Sequence, residues 1–287
     1  AQRAGPKTKH TAGELAEFLD RITGAHFEVQ TPDGKTYNYM PYNGPRKAMK
    51  QVLAERQAAA DQDAANLLKP AEALPSTGIV VGTAEEWQMP SDLTEGLAMR
   101  GVYHGREAFA IRTQPNRLLL LGTQSRGVVH AVNRFLHELG CRWFATGAHW
   151  EVIPASTNLT FGMDITDRPS IGTRIIAFMD GVYSHQERID QAKWTCRNSL
   201  GSSFGTSAAH AWHRIADENN ADLMEHPEYF AEVGGKRIVP TTKDTNGKKR
   251  INGLFSKFEL PNPAVRKMFV NHALNHFRRT PTSDMVS

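Results

Sequence analysis

The sequence predicts an α/β protein with two parts. An N-terminal α/β sandwich-like domain, a sheet with helices, precedes the first part of a (β/α)8 TIM barrel. Three observations carry this. GIVVG at 78–82 and RLLLLG at 117–122 are short apolar runs bounded by glycine, the pattern of buried strands. Arg126 to Leu139 (RGVVHAVNRFLHEL) places Val128, Val129, Val132, Phe135, Leu136 and Leu139 on one helical face. After residue 170 a second strand–helix alternation begins with TRIIAFMDG, but a whole barrel takes ~250 residues and fewer than half as many remain.

Taken in order, AGELAEFLDRITGA (12–25) sets Leu15, Phe18, Leu19 and Ile22 on one stripe, with Gly24 where a helix C-cap belongs. HFEVQT alternates like a strand and PDG turns the chain. Residues 45–69 are rich in Ala, Gln, Lys and Asp without a breaker, which predicts an exposed helix. EAFAIRT and RLLLLG form two strands around the turn QPN. Gly140 closes the following helix, and Cys141, Trp143 and Phe144 are expected to fold back beneath it as core. Burying the two rings would contribute ~2–3 kcal/mol each. DITDRPSIGTR (164–174) is polar and contains proline, which sets a boundary between domains 1–168 and 169–287.

In the second domain, 173–181 is a predicted strand, 188–200 (RIDQAKWTCRNSL) a helix, and SSFGTSAAHAWHRI a Gly/Ser-rich loop. EHPEYFAEVGGKRI contains a hairpin around Gly234-Gly235. PNPAVRKMFVNHALNHFRRTP is an amphipathic helix with Pro263 in its first turn and Val265, Met268, Phe269, Ala273 and Phe277 inward. DMVS (284–287) reads as the start of a strand.

The 287 residues are 40% hydrophobic and 22% charged, an ordinary globular composition. The formal charge of +4 is spread along the chain, and its densest basic run, KDTNGKK at 243–249, reads as a solvated turn; no nucleic-acid partner is expected. The two cysteines, Cys141 and Cys196, give neither a disulfide framework nor a CxxC metal motif. No apolar run approaches the ~20 residues of a membrane span, and no signal peptide is read here, which a mature secreted chain would have lost. No GxGxxG follows a strand, so no dinucleotide cofactor is expected.

Four groups of residues could carry chemistry. Arg174 and Asp180 stand at the two ends of one predicted strand, as groups of a barrel's active site or as an ion pair. His210 and His213, in HAWH, with His226 further on, have short spacing suited to a metal, yet no HExxH is present. Glu225, Glu228, Tyr229 and Glu232 cluster in EHPEYFAEV, as paired carboxylates for glycoside hydrolysis or as solvated surface. Cys196 lies beside Trp194 in a predicted helix, a core position rather than a nucleophile.

RITGA, GIVVG and the run RLLLLGTQSRGVVHAVNRFLHELGCRWFATG through EVIP are similar to the N-terminal domain that precedes the barrel in α-glucuronidases and family 20 hexosaminidases. RPSIGTR, KWTCRNSL, H.W, HPEYFAEVGGKR and NPAVRKM then follow in an order that resembles bacterial glycoside hydrolase family 163, formerly a domain of unknown function. The resemblance spans nearly the whole chain. It implies a retaining, endo-β-N-acetylglucosaminidase-like hydrolase of N-glycan-type glycans, secreted or periplasmic, with the catalytic carboxylates on later barrel strands. Arg174 stands where family 20 enzymes hold sugar hydroxyls. The substrate-binding set expected is Arg174, Asp180, His210, Trp212, Glu228 and Tyr229, with a glycan as partner, no cofactor and no metal. A non-catalytic carbohydrate-binding relative and a metal-dependent hydrolase built on His210, His213 and His226 remain as alternatives.

Overall fold

A computed structural model of the chain describes residues 4–31, 36–37, 70–176, 184–204, 206–207, 211–280 and 283–286. The predicted helix at 45–69, most of the predicted strand 173–181, Asp180 and His210 lie outside the described residues. The chain is mixed α/β and divides into two compact units, Ala1–Ser203 and Phe204–Ser287.

The first unit begins with α1 (Pro6–Thr23), which buries Leu15, Phe18, Leu19 and Ile22. Gly24 ends it at φ 72°, a left-handed cap that returns its N–H to Asp20 O, as the sequence predicts. Next come β1 (Glu72–Ala73), β2 (Gly78–Thr83), β3 (Trp87–Gln88) and the short α2 (Ser91–Gly96). β4 (Phe109–Gln114) and β5 (Arg117–Gly122) are antiparallel across Pro115-Asn116, with Ile111 opposite Leu120. β2 runs parallel to β5, with Val80 opposite Leu119. Side chains alternate along β5. Leu118 and Leu120 enter one core with α1 and with α3 (Ser125–Glu138); Leu119 and Leu121 enter a second with Trp87, Leu93 and Leu97. The sheet is therefore covered on both faces, not on one as the α3 stripe alone suggests. α3 approaches closely because Gly127 lacks a side chain: a Cβ there would meet Ala108 O at 2.2 Å.

α3 leads into β6 (Arg142–Trp143), which pairs antiparallel with β7 (Glu151–Val152). Trp143 is buried beside Phe18, edge to face with centroids 5.6 Å apart. Phe144 is 67% exposed, which corrects the expectation for that ring. Successive side chains of an extended segment point to opposite sides, so one of two adjacent aromatics faces water. Trp150 is also exposed.

The polar stretch read as a boundary is instead β8 (Asp164–Asp167), the edge strand of the sheet ordered β2-β5-β4-β8. An edge strand with one wet face shows that polarity. β9 (Thr173–Arg174), α4 (His185–Arg197) and β10 (Gly201–Ser202) remain with the first unit, so the units part at 203/204 rather than at 168/169. β9 pairs antiparallel with β10. α4 opens on a capping box in which Ser184 and Glu187 bond each other's backbone N–H.

In the second unit, β11 (Thr206–Ser207) is followed by α5 (Ala211–Glu218) and α6 (Asn220–Glu225). Residues 211–215 (AWHRI) are thus helical, not loop, because Ala211, Ile215 and Ala216 form a buried helical stripe. β12 (Glu232–Val233) and β13 (Lys236–Arg237) close over Gly234-Gly235, both at positive φ, as a two-residue hairpin requires. β14 (Thr241–Lys243) and β15 (Lys249–Ile251) form a second hairpin. α7 (Pro263–Arg279) is capped by Asn262 and buries Val265, Met268 and His272, while Phe277 faces outward against expectation. β16 (Met285–Val286) pairs in parallel with β11. The core joins Ile215, Leu223, Phe230, Ile251, Phe258 and Val265. Among the described residues no closed barrel is seen.

Candidate functional site

The expected sugar ligand Arg174 is occupied by the protein itself. Its Nε donates to Ser199 O (2.9 Å), Nη1 to Ile171 O (2.6 Å) and Nη2 to Glu107 Oε2 (2.6 Å). Glu107 is 2% exposed. Arg126 Nε lies 3.2 Å from its Oε1, and Nε2 of buried His130 lies 3.6 Å from Oε2. Burial pushes the Glu107 carboxyl up, but the His130 ring and the Arg174 guanidinium more than offset this and hold it below the ordinary carboxylate value. Of the two roles left open by the sequence, the guanidinium takes the ion pair, with Glu107 as its partner.

Glu107, Arg126 and His130 were not legible as a site. Their only signal is a charged residue beside a buried strand and a histidine inside an apolar helical face, both common in cores.

In the second unit, Trp212 stacks on Phe258 (5.3 Å) and meets Phe269 edge to face (6.1 Å), with Lys257 Nζ 6.0 Å above its ring. It is a half-buried part of the core rather than an open platform. His213 packs where Gly253 has no side chain, and a Cβ there would meet His213 Cα at 2.2 Å.

His226, Glu228 and Tyr229 do come together, at the surface. The His226 ring stacks on Tyr229 with centroids 4.7 Å apart. Its Nδ1 lies 2.8 Å from Glu228 Oε1 and its Nε2 3.6 Å from Asp222 Oδ1. Arg237, from the β13 side of the hairpin, donates to Phe230 O (2.6 Å) and reaches Glu259 (3.2 Å), which fixes the HPEYF turn. The hydrogen bond with Glu228 raises His226 above its ordinary value. Glu228 is lowered, first by its own backbone N–H and then by His226. A carboxyl lowered in this way is a poor proton donor near neutral pH. In an NMR titration His226 is therefore expected to titrate above the usual histidine range and to move back toward it in Glu228→Gln; an unchanged midpoint would refute the pair.

Among the described residues no three His, Cys, Asp or Glu side chains converge to hold a metal ion. Burial pushes the Cys141 thiol up to about 11, far from a reactive thiolate. Desolvation also raises Cys196, although that residue reaches solvent rather than the core.

No protein-family model, curated protein or solved structure matches this chain. No helix among the described residues is long and apolar enough to cross a membrane.

Proposed function

We propose that the chain is part of a carbohydrate-active protein of the glycoside hydrolase class, endo-β-N-acetylglucosaminidase-like and directed to N-glycan-type glycans outside the cytoplasm. In this reading the first unit is a supporting α/β domain and the second the opening of a (β/α)8 barrel. The observation that supports it is the parallel pairing of β11 with β16, which α5, α6, two hairpins and α7 separate in the chain. Parallel neighbours need a crossover between them, and parallel strands joined through helices are what a (β/α)8 barrel is built from.

The electrostatics of Glu228 favour a binding role for that residue over a catalytic one. Retaining hydrolysis needs a protonated carboxyl opposite a second carboxylate or a supported acetamide. Glu228 is exposed and held in its ionised form. The expected result is that the 287-residue protein retains a complex N-glycoprotein on a column but releases no glycan detectable by mass spectrometry. Failure to bind any glycan would sink the carbohydrate reading. Glycan release that disappears in Glu228→Gln would move catalysis onto that residue, and stoichiometric bound zinc would favour the metal-dependent alternative.

A further inference from the structure

We propose that the cleft in the first unit between α1, α4 and the β6–β7 hairpin is a binding site for a single neutral polyhydroxylated ring, such as one monosaccharide. The sugar class rests on the carbohydrate reading above; the cleft itself does not.

The cleft has a volume of about 200 Å³. That is room for one small ring. Trp143 and Trp194 line it, and their positions are fixed: Trp194 Nε1 donates to Trp143 O (3.0 Å), which also accepts from Asn198 Nδ2 (3.1 Å). Arg197 forms part of the wall and is immobilised. It bonds Glu14 at 2.9 Å, pairs with Glu151, and lies over the rings of Phe18 and Trp143 at 5.0 and 5.6 Å. A wall held in place before binding loses little freedom when a ligand arrives.

The remaining lining has two features that point to a ligand. One side consists of Ala145, Gly147 and Ala148, and a Cβ on Gly147 would meet nothing within 4 Å. The space is thus left open by small residues. Around it Glu17 and Lys193 line the cleft with no hydrogen-bond or ion-pair partner among the described residues, and Asp190 accepts only from Gln186 Nε2 (3.0 Å). With Glu17, Glu151 and Asp190 balanced by Arg21, Lys193 and Arg197, the lining carries no net charge and suits hydroxyls, which both donate and accept, better than a free anion. Half-buried Trp194 lines the cleft, so its environment reports on a ring bound there.

The test follows the Trp194 indole N–H in ¹H–¹⁵N NMR, assigned with Trp194→Phe, during titrations with N-acetylglucosamine, mannose, galactose, glycine and inorganic phosphate. At least one sugar is expected to shift the signal saturably with a Kd on the order of 1–10 mM. Glu17→Gln and Lys193→Gln should weaken it roughly tenfold. Ala148→Trp, which fills the cleft from an exposed position, should abolish it while leaving far-UV circular dichroism unchanged. Sugar binding here by a chain that ignores N-glycoprotein leaves the cleft standing and removes the enzyme-class reading. A Trp194 signal unmoved by every sugar, moved only by glycine or phosphate, or still shifted in Ala148→Trp overturns the proposal.

Discussion

Glu107→Ala is expected to cost about 3 kcal/mol of stability in the first unit. Removing one partner of a buried ion pair costs ~3–5 kcal/mol, because it leaves the other charge uncompensated. The lower end applies here, since Arg126 can turn to solvent and Arg174 keeps Ser199 O and Ile171 O as acceptors. At a urea slope of about 2 kcal/mol per M, the midpoint falls by about 1.5 M. Arg174→Ala should be nearly as costly. The double variant should fall short of the sum by ~1–3 kcal/mol, because the two groups share one interaction. Additive losses, or a midpoint unchanged in Glu107→Ala, would remove Glu107 from its place as the anchor of β9.

The pH dependence follows from the direction of the Glu107 shift. Its folded-state value lies below the ordinary glutamate value of 4.5, so the unfolded chain binds the proton more readily. The pair's contribution is therefore complete above about pH 4.5, declines as pH falls through the folded value, and is gone below it. Wild type and Glu107→Ala should differ fully at pH 7 and converge in acid. A gap that persists at low pH would mean that lost packing, not charge, separates them.

Periodic apolar runs were legible in the sequence, and polar context was not. Leu15, Phe18, Leu19 and Ile22 announce α1, and Val128, Val132, Phe135 and Leu136 announce α3, because burial of a stripe dominates the local energetics. DITD was misread because an edge strand exposes one face and so resembles a linker. AWHRI was misread because three small or apolar residues on one face hold a short helix that Gly and Ser precede in the sequence. Arg174 could be named as important but not assigned. Its partner lies 67 positions away in sequence, and long-range pairing of charges leaves no periodic trace. Glu228 and Tyr229 could be grouped because they are adjacent in sequence, whereas His226, read with His210 and His213 as a metal ligand, instead stacks on Tyr229 beside Glu228.

Trp143→Ala should cost about 3 kcal/mol and Phe144→Ala less than about 0.5 kcal/mol, although the two rings are adjacent. Truncating a buried Trp typically costs ~3–5 kcal/mol through lost transfer energy and the cavity left behind. Trp143 is 5% exposed, packs edge to face on Phe18 and lies under the Arg197 guanidinium. Its Nε1 is buried without an acceptor, so removing the ring also removes an unsatisfied donor, worth ~1–3 kcal/mol, and draws the loss toward the lower end. The Trp143 carbonyl still accepts from Trp194 and Asn198 in the variant, which keeps α4 seated and confines the damage to the cavity. Phe144 faces water and behaves as a surface position, where substitutions stay within about ±0.5 kcal/mol. Urea unfolding read by far-UV circular dichroism, which does not depend on the missing indole, separates the two variants. Equal losses would mean that Phe144 is covered in solution, and a loss below about 1 kcal/mol for Trp143→Ala would contradict its burial against Phe18.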